Sequence, residues 1–202
     1  MNRLLRKIVT AVILVLGAVA GFAALKLSRD MRESRQLILD AAKLEQDHGT
    51  MNLTDFLAKH RTVHPIRDCK EERCVYVADL RNAPLPLLHL APPGEFYFSV
   101  INKQGHVQEI YISVKTAIAG KPYAAIIRSV SEAECEEGCK AFLSDAVEDA
   151  GRISYSVVEL GPRATSADRG IAFQINANCI FEIRGCNSPL QITGGWPIRA
   201  VD

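Results

Sequence analysis

Hydrophobic residues follow three patterns along the chain: one long unbroken run, one helical stripe, and then short alternating segments. The run covers 8–25, contains no charged residue and follows a basic N-terminus. Eighteen helical residues at ~1.5 Å each span about 27 Å, close to the ~30 Å hydrocarbon core of a bilayer. Residues 1–27 are therefore predicted to be an N-terminal membrane anchor, which contacts the bilayer through 8–27.

A cleavable signal is the alternative for the same segment. Residues 8–17 would form its shorter apolar core, and Ala18-Val19-Ala20 has the small residues of a cleavage site. The uncleaved anchor is favoured because apolar residues continue past that site and run without proline into a helical segment. Gly17 and Gly21 have the spacing of a helix-dimer contact, but such spacing arises easily by chance in an alanine-rich span.

The helical stripe follows the apolar run and predicts a helix from Leu27 to His48, ended by Gly49. Its apolar positions recur at three- and four-residue steps: Leu37, Ile38, Ala41 and Leu44. Residues 28–49 are predicted to be a stalk helix whose first, polar part is solvated and whose stripe packs on the following domain. A short helix from Thr54 to His60, with Thr54 as its N-cap, is expected next.

From Cys74 onward the apolar residues alternate with a period of two, which predicts strands. The predicted strands cover 74–80, 95–102, 107–116, 123–130, 153–160, 171–177 and 180–184, and a turn at 103–106 makes a hairpin. A helix is predicted over 131–150 because Ser131 and Glu134 form a capping box. The predicted fold class is α+β: a transmembrane helix and a stalk helix, then one mainly antiparallel-sheet domain over 50–202 with one or two packed helices.

The cysteines predict where this domain is located. All six follow the apolar run, and an even number is typical of disulfides in an oxidising compartment. Basic residues are nearly balanced on the two sides of the run, so the cysteines decide the orientation: N-terminus cytoplasmic, C-terminal domain extracytoplasmic. The disulfide candidates, whose pairing the sequence leaves open, are Cys69, Cys74, Cys135, Cys139, Cys179 and Cys186.

Two of these cysteines suggest thiol chemistry. Cys135 and Cys139 lie four apart on the predicted helix, so Cys135 could attack a disulfide and Cys139 resolve the intermediate. The spacing is wider than in a Cys-x-x-Cys site, and surrounding glutamates disfavour the thiolate, which favours a structural disulfide. Cys179 and Cys186 flank an apparent strand; fully extended, it would hold them more than about 20 Å apart. Either that segment turns or the two pair elsewhere.

A zinc site is the alternative for a second cluster of residues. His60, His64, Cys69 and Cys74 are of the types that bind zinc tetrahedrally. Pro65 disfavours a helix at His64, and an oxidising compartment favours disulfides over thiolate ligands. A structural disulfide with two surface histidines is therefore favoured, and no cofactor is predicted.

Composition narrows the classes of function. Lys plus Arg number 24 against 23 for Asp plus Glu, which argues against nucleic acid as a partner. No catalytic motif is present, which argues weakly against an enzyme because sites assembled from distant residues leave no local pattern. We expect a single-pass, membrane-anchored extracytoplasmic domain with a binding or assembly role at the cell envelope, its partner a second copy or an envelope protein. An envelope thiol–disulfide exchange enzyme and an exported zinc-binding module are the alternatives.

Overall fold

The computed structural model describes residues 3–46, 52–66, 73–131, 142–149 and 153–197. Its first element is α1 (Arg3–Gln46), so the predicted anchor and stalk form one continuous helix of 44 residues. Large apolar side chains are exposed all around its first half. Within the described part of the chain, α1 is the one helix long and apolar enough to cross a membrane.

The second half of α1 belongs to the hydrophobic core. The predicted stripe is buried at Leu37, Ile38, Ala41 and Leu44. Asp30 and Ser34 are also buried. The domain therefore covers one face of the segment that was expected to be a solvated stalk. The end of the predicted helix, His48 and Gly49, lies outside the described residues.

A sheet of seven strands, in the order β1-β2-β3-β4-β5-β7-β6, packs against α1. All neighbouring strands are antiparallel except β5 and β7, which are parallel. The strands are β1 (His64–Pro65), β2 (Arg73–Arg81), β3 (Glu95–Lys103), β4 (His106–Ile118), β5 (Lys121–Val130), β6 (Phe142–Asp149) and β7 (Ile153–Leu160). The predicted α+β class with a mainly antiparallel sheet is confirmed.

Short helices complete the described domain. They are α2 (Leu53–Lys59), α3 (Pro84–Leu87), α4 (Ser166–Ala172), α5 (Leu190–Thr193) and a 3-10 helix (Asn178–Phe181). Phe56 of α2 packs on Phe98 of β3, with ring centroids 5.5 Å apart. Asn52 caps α2, because its Oδ1 accepts hydrogen bonds from the backbone N of Thr54 and Asp55. The prediction of Thr54 as the N-cap is therefore wrong by two residues.

The predicted hairpin between the strands at 95–102 and 107–116 is confirmed. β3 and β4 pair so that Phe98 faces Ile112 and Lys103 faces His106. The two turn residues, Gln104 and Gly105, have φ angles of 53° and 83°. Positive φ at both central positions is the geometry whose twist matches that of the flanking strands.

The helix predicted over 131–150 is wrong in its second half. Residues 142–149 form β6, antiparallel to β7 with Ala146 opposite Ser156. β6 is the outermost strand of the sheet, and charged residues are common on such edges because they hinder pairing with other chains. The acidic residues of this segment, Asp145, Glu148 and Asp149, suit such an edge. The capping residue Glu134 lies outside the described residues.

The strands predicted at 171–177 and 180–184 are also wrong. Thr165 and Asp168 form a capping box that starts α4: each side chain accepts a hydrogen bond from the other residue's backbone N. This local start signal outweighs the short alternation of apolar residues that follows it. Residues 178–181 form the 3-10 helix, where Ile180 is fully buried.

Cys179 and Cys186 are joined by a disulfide, with their Cα atoms 4.9 Å apart. The chain reverses after the 3-10 helix at Arg184 and Gly185, which both have positive φ. Of the two alternatives for this pair, the structure therefore has the one in which the segment turns.

Asn82 joins the ends of two strands to the 3-10 helix. Its buried amide donates from Nδ2 to the carbonyl oxygens of Pro92 (2.9 Å) and Ile180 (2.6 Å), and its Oδ1 accepts from Gly94 N (2.7 Å). A Cβ on Gly94 would lie 2.7 Å from the Ile180 Cβ, so only glycine allows this approach. One side chain thus fixes the loop between β2 and β3 against a segment about 100 residues later in the chain.

Replacing Asn82 with alanine is expected to lower the free energy of unfolding by about 2 kcal/mol, because three buried backbone groups lose their partner. Chemical denaturation of the full chain in detergent measures this loss. Asn187→Ala, which removes an exposed amide, is the matched control and should change stability little. Equal stabilities for the two variants would show that Asn82 does not join these elements.

Candidate functional site

A cavity of about 970 Å³ opens at the end of the sheet that carries the β3–β4 turn. We call it the hairpin cavity. Six parts of the chain form its walls: the C-terminal end of α1, α2, β2 at Tyr76, the β3–β4 hairpin, the end of β5 and the region of α4. Its apolar lining includes Leu44, Leu53, Leu57, Val107 and Ile110.

One wall of the hairpin cavity contains a buried ion pair. Arg169 Nε donates to Glu45 Oε2 at 2.6 Å, and both side chains are almost fully buried. Ser129 Oγ donates to Glu45 Oε1 at 3.0 Å, and Arg169 Nη1 donates to the Ala164 carbonyl. A buried charge is tolerated when it is paired and hydrogen-bonded, as both charges are here. The pair also ties α1 to α4 at the cavity.

The lining also includes two largely buried amide side chains, those of Asn102 and Gln108. Asn102 Oδ1 accepts from Gly105 N at 3.2 Å and so supports the hairpin turn. Its buried Nδ2 makes no hydrogen bond in the described part of the chain. Gln108 accepts from Ser131 Oγ at 3.0 Å. Buried polar groups are rarely left unpaired, so Asn102 Nδ2 marks a place where a hydrogen-bond acceptor would be stabilised.

His60, a predicted zinc ligand, is buried beneath the wall formed by α2. Its Nδ1 lies 3.0 Å from Glu33 Oε1 and its Nε2 lies 2.9 Å from Asp40 Oδ2. Its ring also packs against Phe56, with centroids 4.7 Å apart. Because both ring nitrogens face carboxylates of α1, neither is directed at a shared metal site.

The other three predicted zinc ligands are not brought to His60. His64 is exposed, and its Nδ1 lies 3.1 Å from the Thr62 carbonyl. Cys74 is disulfide-bonded, and Cys69 lies outside the described residues. In the described ranges, no group of three or more histidine, cysteine or acidic residues is arranged to hold a metal ion.

The cysteine pair proposed for thiol exchange, Cys135 and Cys139, lies outside the described residues. Its role therefore stays a prediction. Every cysteine that the structure describes is disulfide-bonded.

Asp40 fastens α2, and with it one wall of the cavity, to α1. Burial raises the pKa of this carboxyl group, but hydrogen bonds from Lys59, Gln36 and His60 outweigh it and lower the pKa to about 2. Lys59 Nζ lies 2.5 Å from Asp40 Oδ2, and Gln36 Nε2 lies 3.1 Å from the same oxygen. Lys59 and His60 lie two and three residues after Leu57, so these contacts hold the apolar side of α2 against the cavity.

Sequence patterns gave no signal for the hairpin cavity. Its lining residues come from segments up to 124 positions apart, as the Glu45–Arg169 pair shows. Comparisons with protein-family models, curated proteins and solved structures give no match to this chain. The geometry of the cavity and of α1 is therefore the basis for a functional proposal.

Asp40→Asn is expected to lower the free energy of unfolding at neutral pH by about 2 kcal/mol, at ~1.4 kcal/mol for each unit of pKa difference. The folded-state pKa of Asp40 lies below its ordinary value of 3.8, so the stabilisation is present above that pH. It is lost as the pH falls toward about 2. Urea denaturation at a series of pH values measures the difference between the two proteins.

Asp79→Asn is the control, because Asp79 pairs with Arg81 at the surface and such pairs contribute little. A stability difference for Asp40→Asn that does not shrink in acid would contradict the role assigned to the ionised carboxylate.

Proposed function

We propose that this protein is a single-pass, membrane-anchored extracytoplasmic domain that binds a small ligand in the hairpin cavity. The observation that carries the proposal is the division of α1. In the described part of the chain its first half has large exposed apolar side chains and no buried residue, whereas its second half is part of the core and reaches the cavity at Leu44 and Glu45.

Lipid is the environment that suits the first half of α1. Folded soluble proteins rarely expose large contiguous apolar surfaces, and here the exposed apolar side chains surround the helix. A helix satisfies its own backbone hydrogen bonds, which allows it to cross a bilayer. The cleavable-signal alternative removes this half and leaves the buried contacts of α1, which begin at Asp30.

The disulfides support the extracytoplasmic location of the sheet domain. Cys179–Cys186 closes a short loop at the surface of the core, and Cys74 is also disulfide-bonded. Disulfides persist in oxidising compartments and are rare in the cytoplasm. With the sheet domain outside, the proposal has the short basic N-terminus on the cytoplasmic side.

The lining of the hairpin cavity supports a ligand with an apolar body and a carbonyl or carboxylate oxygen. The apolar walls would cover the body, and Asn102 Nδ2, which is unpaired but buried, would donate to the oxygen after a rearrangement of its side chain. Ligand sites typically have volumes of about 300–1,000 Å³ and combine apolar walls with a few polar groups, as this cavity does. Aliphatic dipeptides have this combination of groups, and we propose them as the class of ligand to test first.

Substituting arginine for both Ile13 and Leu16 is expected to release the chain from membranes, because each arginine at a span centre costs ~2.5–3.5 kcal/mol. Carbonate-washed membranes from an expressing bacterium measure retention of the full chain. Leu39→Arg is the matched control, since Leu39 is an exposed leucine of the same helix beyond the span. In spheroplasts, a membrane-impermeant amine reagent should label the lysines of the sheet domain.

Equal retention of both variants would contradict the anchor. So would a purified chain whose intact mass shows that it begins after Ala20. Protection of the domain from the impermeant reagent would overturn the orientation while leaving the anchor in place.

Leucyl-leucine is expected to bind the detergent-solubilised full chain, and Asn102→Asp is expected to weaken binding by about tenfold, or ~1.4 kcal/mol. Aspartate keeps the oxygen that accepts from Gly105 N but replaces the Nδ2 donor by a second acceptor. Isothermal titration measures both affinities.

The matched control is Asn187→Asp, which makes the same charge change at an exposed position outside the cavity lining. Absence of binding to the unsubstituted chain would contradict the dipeptide class. Equal affinities of the unsubstituted chain and Asn102→Asp would exclude Asn102 as the ligand's donor.

A further inference from the structure

The two ends of the sheet lie beside different parts of α1. Near the C-terminal end of α1, Glu45 accepts a hydrogen bond from Ser129 at the end of β5. At the opposite end of the sheet, Asn82 follows β2 and bonds to the 3-10 helix, which packs against α1. Because α1 meets the cavity end at Glu45, its contact with the 3-10 helix lies nearer its N-terminus. The apolar half of α1 therefore leaves the domain at the Asn82 end.

Almost no chain separates this end of the domain from the apolar run of α1. The run ends at Leu25, and Leu27 and Met31 are already packed against the core. At ~1.5 Å per residue, the core begins about 3 Å along the helix from the end of the run. The polar layer of a bilayer is roughly 5–8 Å thick on each side of the hydrocarbon, so side chains projecting from this end reach the membrane.

Four apolar side chains project from this end of the domain. They belong to two loops: Leu87, Leu88 and Leu90 lie between β2 and β3, and Ile183 lies after the 3-10 helix. Their exposed fractions are 80%, 59%, 41% and 65%. Arg184 N donates to the Leu90 carbonyl at 2.8 Å, so the two loops are joined. We call these four residues the apolar tip.

The backbone holds the apolar tip in a fixed shape. His89 and Arg184 have φ angles of 55° and 82°, a region that residues other than glycine rarely adopt. Asn82 and the close contact between Gly185 and Pro92 support the same loops from beneath. Strained backbone that the surrounding structure maintains is often found where a surface has a function.

We propose that the apolar tip is a membrane-docking surface that inserts into the boundary between lipid headgroups and acyl chains, on the side of the bilayer that faces the domain. The inference rests on the proposed anchoring by α1. Leucine and isoleucine in surface loops bind bilayers by burying their apolar area at this depth. Docking adds a second contact to the single helix, so the domain is held at a fixed tilt and the hairpin cavity faces away from the lipid.

The test places a tryptophan in the apolar tip of the full chain, as Leu87→Trp and separately as Ile183→Trp. The chain is reconstituted in vesicles of equal parts phosphatidylcholine and phosphatidylglycerol, with the phosphatidylcholine brominated near the glycerol end of its acyl chains. Bromine quenches tryptophan only at close range. The fluorescence of each introduced tryptophan is expected to fall roughly twofold, since a docked side chain lies ~5–10 Å within the interface.

Lys103→Trp is the matched control, because Lys103 is exposed beside the β3–β4 turn at the opposite end of the sheet. The native Trp196 is buried and gives the baseline from the unsubstituted chain. Quenching of both tip variants but not of Lys103→Trp supports docking. Unquenched tip variants in a chain that floats with the vesicles would overturn docking and leave the anchor intact.

Two further outcomes would separate a failure of anchoring, and contact between two copies of the chain, from lipid docking. A chain that does not float with the vesicles fails the anchoring proposal itself, and docking fails with it. Tip fluorescence that changes with the protein-to-lipid ratio, but equally in brominated and unbrominated vesicles, would assign the apolar tip to contact with a second copy and overturn lipid docking.

Discussion

The continuity of α1 is the constraint on which the rest of the structure depends. Among the described residues, the first half of this one helix is exposed and its second half forms part of the core. An α-helix without a proline or another break transmits position and direction along its length, so the two halves cannot be arranged independently. If the first half is anchored in a membrane as proposed, any orientation imposed on it would be passed to the sheet through Leu37, Ile38, Ala41 and Leu44.

Polar contacts decide which elements are attached to this helix. Asp40 and Glu33 hold His60, and with it α2, while Glu45 holds Arg169 of α4 and Ser129 of β5. These contacts are buried or partly buried, so removing one partner would leave an uncompensated charge rather than merely a weaker surface pair. The carboxylates of α1 therefore position two walls of the hairpin cavity. Ligand binding and the packing of α1 would be energetically linked through them.

Local patterns predicted the parts of the fold that local physics determines. The hairpin followed from alternation around Gln104-Gly105, and the buried stripe of α1 followed from its helical period. They did not predict β6, whose strand state comes from pairing with β7 across the sheet, or the turn that joins Cys179 to Cys186. For the strand predicted at 171–177, the capping box of Thr165 was the informative signal, and alternation was misleading.

The hairpin cavity could not be predicted from the sequence for a different reason. Glu45, Asn102 and Arg169 are ordinary polar residues in their local contexts, and only the fold brings their side chains to one space. His60 was noticed as a potential ligand, yet its partners are 20 and 27 positions away on α1. A pattern of neighbouring residues could not identify carboxylates at that distance. It therefore suggested a metal ion at His60, whose ring nitrogens instead lie beside the carboxylates of Glu33 and Asp40.

The continuous helix also bears on whether the N-terminal segment is cleaved. A cut after Ala20 would leave a helix that begins with Gly21 and carries Phe22 and Leu25 at 73% and 72% exposure in water. Covering each of these side chains is worth about 1.5–3 kcal/mol, and nothing in the described domain covers them. The span remaining after the cut would be too short to cross a bilayer. Lipid around an intact α1 would cover both residues and the preceding run together, which is the physical reason for proposing an uncleaved anchor.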